Sequence, residues 1–104
     1  MQEHLLIVFR DGPAGRRARL VAGPDVWEIV GAVRSAREAE PGLSGNEVIG
    51  LVAETSGLEV AEIRAALDYW GDYPDAVEVF LGQARAEAEQ ARTRWQREHD
   101  LLDG

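Results

Sequence analysis

Residues 44–70 read SGNEVIGLVAETSGLEVAEIRAALDYW. Ser44 followed three residues later by Glu47 matches the capping box, in which serine takes the amide of the third helical residue and glutamate reaches back. The helix it opens carries Val48, Leu51 and Val52 to about Thr55. Gly57 stands where a left-handed stop residue is wanted. Beyond Leu58, the residues Val60, Ile63, Ala66, Leu67 and Trp70 recur at helical spacing. Ala53, Gly57 and Ile63 then have separate tasks. A small residue lets two helices cross, a glycine makes the turn, and an apolar residue packs back onto the first helix. This is the helix-turn-helix arrangement. A generic tight helix pair shares the same spacing and stays open as a reading. The expected fold is mainly α, with a helix-turn-helix, winged-helix-like core.

Upstream, Leu5 to Phe9 (LLIVF) is an apolar run of strand length. Asp11-Gly12-Pro13-Ala14-Gly15 is a turn cluster. Arg16 to Val21 (RRARLV) returns as a second strand, giving a β-hairpin. A lone hairpin is marginal in water, so this one must pack on helices or join a sheet from a second copy. LLIVF is also too apolar to stay an exposed edge, which predicts pairing within a dimer. Gly23-Pro24-Asp25 breaks the chain and opens a helix, with Val26, Trp27, Ile29, Val30 and Val33 as its apolar face to about Arg37.

Downstream, Gly71 is read as a stop and Tyr73-Pro74-Asp75 as a restart, with proline in the first turn. The last helix is expected from Asp75 to about Leu102. Val77, Leu81, Ala84, Ala88, Ala91, Trp95, Glu98 and Leu102 step alternately by four and three, a heptad seam. Three central alanines make it thin, and Glu98 weakens it. Such a helix outruns a small domain, so part of it should project. The chain divides into a hairpin plus helix-turn-helix unit (1–74) and a C-terminal helical arm (75–104).

The chain has 104 residues, a size that suits one domain. Without cysteine it has no disulfide framework, thiolate zinc site or cysteine nucleophile. The start lacks the basic and apolar stretches of a signal peptide. No apolar run approaches the roughly 20 residues that span a bilayer. A cytoplasmic protein is expected.

The net charge is −8, and all 11 basic residues are arginine. Residues 1–37 hold six arginines against four acids, a balance of +2, and residues 38–104 hold five against 15, a balance of −10. Only the N-terminal third suits phosphate, which needs positive surface. The candidate DNA contacts are Arg16, Arg17 and Arg19 on the hairpin, Arg34 and Arg37 on the first helix, and Arg64 on the second helix of the pair. That second helix also presents Glu59, Glu62 and Asp68, the wrong sign for phosphate. Solubilising surface arginine is the competing reading.

No catalytic set emerges, and neither an enzyme nor a cofactor is expected. Ser35, Ser44 and Ser56 lack a nucleophile-elbow context. His4 and His99 have no companion at ligand spacing and read as surface residues. Asp68, Asp72, Asp75 and Glu78 lack calcium-loop spacing and read as a solvated corner rather than a metal site. The C-terminal helix offers a docking arm or dimer seam, with Phe80, Leu81, Trp95, Leu101 and Leu102 as partner contacts. Tryptophan is favoured at interface hot spots. A helix folded back on the core is the alternative.

Two stretches, RLVAGPDVWEIVGAV (19–33) and VAEIRAALDYWGDYP (60–74), resemble a family of small bacterial antitoxin-like proteins. In that family such segments flank a helix-turn-helix, and a charged, alanine-rich helix follows. The resemblance implies a VapB-like antitoxin of a type II toxin–antitoxin pair. Such a protein dimerises and masks a PIN-like ribonuclease toxin, here through the C-terminal helix, with repression of its own operon as an added role. The acidic second helix departs from a simple repressor. Two other readings stay open: a stand-alone helix-turn-helix regulator of transcription, and a structural homodimer that binds no nucleic acid.

Overall fold

The computed structural model describes residues 4–12 and 15–103. The strands β1 (Ile7–Gly12) and β2 (Gly15–Leu20) come first, then α1 (Val26–Ala39), α2 (Gly45–Ser56), α3 (Val60–Asp72) and α4 (Pro74–Asp103). The chain is therefore mainly helical, with an N-terminal antiparallel hairpin and a long C-terminal helix. Pro13 and Ala14, the middle of the expected turn cluster, lie outside the described residues, as do the first three residues.

The hairpin register pairs Ile7 with Leu20, Phe9 with Ala18 and Arg10 with Arg17. Directly opposed residues share a face. Ile7 and Leu20 are buried, so their face is the inner one. Val8, Arg10, Arg17 and Arg19 share the outer face. The free edge of β2 is partly closed by an isolated bridge between Arg19 and Asp25, and the Leu20 amide donates to the Pro24 carbonyl at 2.8 Å. Gly23 makes this return possible with a φ of 136°, a conformation other residues rarely adopt. Among the described residues the outer edge of β1 has no such cover, and Leu5, Leu6, Val8 and Phe9 are all exposed beside it.

The core forms where the inner face of the hairpin meets α1, α3 and the base of α4, with α2 packed against α1 and α3. Val26, Ile29 and Val30 enter it from α1, Ile49, Val52 and Ala53 from α2, and Ile63, Ala66 and Tyr69 from α3. The helix pair read from residues 44–70 is present. Ser44 Oγ accepts from the Glu47 amide at 3.2 Å, and Glu47 Oε1 accepts from the Ser44 amide at 2.9 Å. Gly57 is left-handed, with φ 76°, and its amide closes α2 on the Ala53 carbonyl. Ala53 is buried at the crossing, and Ile63 is completely buried.

One boundary differs from expectation. Gly71 does not stop α3, which runs on through Asp72. The stop is set by Pro74, which disfavours helical backbone in the residue before it. Tyr73 accordingly lies at φ −133° and ψ 59°. Among the described residues, no helix is long and apolar enough to cross a membrane.

Candidate functional site

The helix α4 has two halves with different surroundings. Val77 is buried in the core, while Phe80, Leu81 and Ala84 are half-buried. Leu81 lies so close to α1 that a Cβ on Gly31 would stand 3.2 Å from its Cδ2. From Arg85 onward every described residue of α4 is exposed. At 1.5 Å per residue, that length carries roughly 28 Å of helix away from the body. The molecule's long axis is 59 Å against 37 and 22 Å for the others.

The five expected partner contacts therefore separate. Phe80 and Leu81 fasten the base of α4 to the body. Trp95, Leu101 and Leu102 sit on the free part, 55%, 81% and 82% exposed. Trp95 touches its own helix, stacking on the His99 ring at 4.0 Å. The seam of Val77, Leu81 and Ala84 continues into Ala88, Ala91, Trp95 and Leu102 after the body has ended.

Where the body ends, α1 and α4 enclose an open groove of about 510 Å³. Trp27, Gly31 and Ser35 line it from α1, and Leu81 and Ala84 from α4. Its rims are charged, with Glu28 and Glu38 on α1 and Arg85 on α4. None of these three takes part in an ion pair among the described residues.

The base of α4 is held by a charged contact that the sequence does not signal. Arg34 of α1 donates to both carboxylate oxygens of Glu78. Trp70 Nε1 of α3 donates to the same carboxylate at 3.1 Å. These bonds, the arginine's first, hold the Glu78 carboxyl down at about 2. The same pairing raises the Arg34 guanidinium above its ordinary value.

The six expected DNA contacts do not form one patch. Arg34 is committed to Glu78, and Arg64 donates to Asn46 Oδ1, tying α3 to α2. Arg16 lies over the Phe9 ring at 4.3 Å on the inner side of the hairpin. Arg17 reaches Asp25 at 3.4 Å. The Nε atoms of Arg17 and Arg19 are buried without an acceptor. Arg37 is exposed near the end of α1. Arg10, not among the six, stands directly opposite Arg17.

The negative charge is concentrated on the stretch from the end of α1 through α2 and α3 to the base of α4. Between residues 38 and 78, ten carboxylates accompany one arginine, Arg64, a balance of −9. Residues 79–104 hold five acids against four arginines, a balance of −1. The surface of α3 thus belongs to the acidic part of the molecule, while the free arm is nearly neutral.

His4 differs from the surface residue expected of it. Its side chain is only 14% exposed and bonds Asp72 Oδ2 at 2.9 Å. Tyr69 and Tyr73 pack edge-on against the ring. Among the described residues, no three histidine, aspartate or glutamate side chains are grouped to hold a metal ion. No family model, curated protein or solved structure matches this chain.

Proposed function

We propose that this chain is an antitoxin-type binding protein whose free α4 arm docks onto a partner protein. The exposure of Trp95, Leu101 and Leu102 on a helix that has left the body carries this reading. An apolar stripe held away from its own core gains free energy when another surface covers it. Tryptophan is among the residues that dominate such contacts. The partner's identity as a PIN-like ribonuclease toxin comes from the resemblance of residues 19–33 and 60–74. In this reading the protein has no catalytic role of its own.

The test is to co-express the chain with the product of the adjoining reading frame and purify through a tag on this chain. A complex is expected in which ribonuclease activity is suppressed. Trp95→Ala with Leu102→Ala should weaken it by about 30-fold or more, the scale of a hot-spot loss. A double variant that binds at full affinity would sink the reading.

A second reading, DNA binding, is favoured by one observation. Arg10 and Arg17 face each other across the hairpin, with Arg19 on the same face, and among the described residues Asp25 is the one carboxylate in an ion pair there. Like charges directly opposed are unfavourable, and a phosphate backbone relieves them. A mobility-shift titration with the chain's own promoter distinguishes this surface from α3. Binding by the hairpin falls steeply with salt and is lost in Arg10→Glu/Arg17→Glu. Binding by α3 responds to Arg64→Ala instead.

A further inference from the structure

We infer that the groove between α1 and α4 and the free arm form one continuous docking track, whose occupant is a charge-polarised amphipathic helix of a different protein. This rests on the arm reading above and adds where the track begins and what chemistry fits it.

Continuity follows from the helix itself. Leu81 and Ala84 floor the groove, and Ala88, Ala91 and Trp95 prolong the same seam at steps of four and three. Residues seven apart stand nearly one above another along a helix. From Leu81 to Leu102 the track is roughly 30 Å long at 1.5 Å per residue. A seam of this length, apolar except at Glu98, suits a helix laid along it.

The charges give the occupant its polarity. Arg85, Arg92 and His99 are spaced by seven and keep to one edge of the seam. Across the groove, α1 presents Glu28 and Glu38, beside Arg34, whose charge is committed to Glu78. Arg85, Arg92, Glu28 and Glu38 have no ion-pair partner among the described residues. A helix seated between these rims is complemented by carboxylates on its α4 side and cations on its α1 side.

The arm of a second copy fits poorly. In a parallel, in-register pair Glu98 of one seam meets Glu98 of the other. In an antiparallel pair, the edge bearing Arg85 and Arg92 meets its own copy. The first arrangement sets two carboxylates against each other in the seam that coiled coils keep apolar, and the second sets like charges along an edge where coiled coils place complementary ones.

The experiment uses the full chain and the product of the adjoining reading frame, with affinities from titration calorimetry and oligomeric state from light scattering. Ser35→Trp fills the groove from an exposed position on α1 without touching the arm. It should weaken binding about tenfold, as should Arg85→Glu/Arg92→Glu, on the scale of interface contacts worth more than a minor rim effect. Trp95→Ala should weaken it by about 30-fold. If Trp95→Ala weakens binding while both other variants bind normally, the groove and its polarity are wrong and the arm reading survives. If Trp95→Ala binds normally, or no complex forms, both fall. If the free chain is a dimer that Trp95→Ala dissociates, the occupant is a second copy and the inference is overturned.

Discussion

Glu78 receives hydrogen bonds from α1 and α3 while standing in the second turn of α4. Its carboxyl is lowered from an ordinary 4.5 to about 2 by Arg34 first and Trp70 second. A lowered carboxyl stabilises the fold fully above its unfolded value and loses that contribution as pH falls through the folded one. The window is therefore about pH 4.5 down to 2. Both side chains are more than a third exposed, which discounts the pair for solvent screening. Glu78→Gln is expected to cost about 0.5–1 kcal/mol at pH 7. In thermal unfolding the gap between the variant and the natural protein should narrow as pH approaches 2. A gap that is constant with pH would assign the cost to packing instead. Gly57 makes a simpler case. At φ 76° an added Cβ is strained although nothing crowds it. Gly57→Ala should cost about 1 kcal/mol, which lowers the melting temperature of a domain this size by about 4–8 °C.

Among the elements, α4 separates stability from binding most clearly. Its base is packed and its outer residues touch little besides their own helix. A chain ending at Ala88 should melt within about 2 °C of the full protein, since exposed positions seldom contribute more than a few tenths of a kcal/mol each. The same truncation removes Trp95, Leu101 and Leu102 and should abolish partner binding. A large fall in melting temperature would mean that the arm folds back in solution. The helix ends show which signals are local. Ser44, Glu47 and Gly57 act within a few residues of their targets, so the boundaries of α2 were legible. Gly71 misled because glycine only permits a stop, whereas Pro74 enforces one.

At the scale of the whole molecule, the two edges of the hairpin differ. β2 is partly closed by Asp25, while β1 is open among the described residues, with Leu5, Leu6, Val8 and Phe9 exposed. Natural edge strands are usually blunted by charge, proline or cover. The chain is expected to dimerise through β1 at micromolar concentration in sizing experiments, and Val8→Lys should return it to a monomer. A monomer throughout that range would refute the pairing. Contacts at this scale also mark the limit of legibility. Arg34 and Glu78 are 44 residues apart and His4 and Asp72 are 68 apart. Neither pair has a periodic signature, because each depends on where whole helices come to rest. The order of the elements and the seam of α4 were readable, since both repeat along the chain. The separation of Phe80 and Leu81 from Trp95, Leu101 and Leu102 was not, because it depends on where the body stops.

A bare helix in water is held chiefly by its own backbone, and short isolated helices are marginal. The outer part of α4 contains Arg92, Arg94 and Arg97, each exposed. When this segment frays, it offers proteases cleavage points far from the folded body, and a partner seated on the arm as proposed would withhold them. Under that proposal the lifetime of the chain would follow the presence of whatever covers it, and abundance would become a record of occupancy.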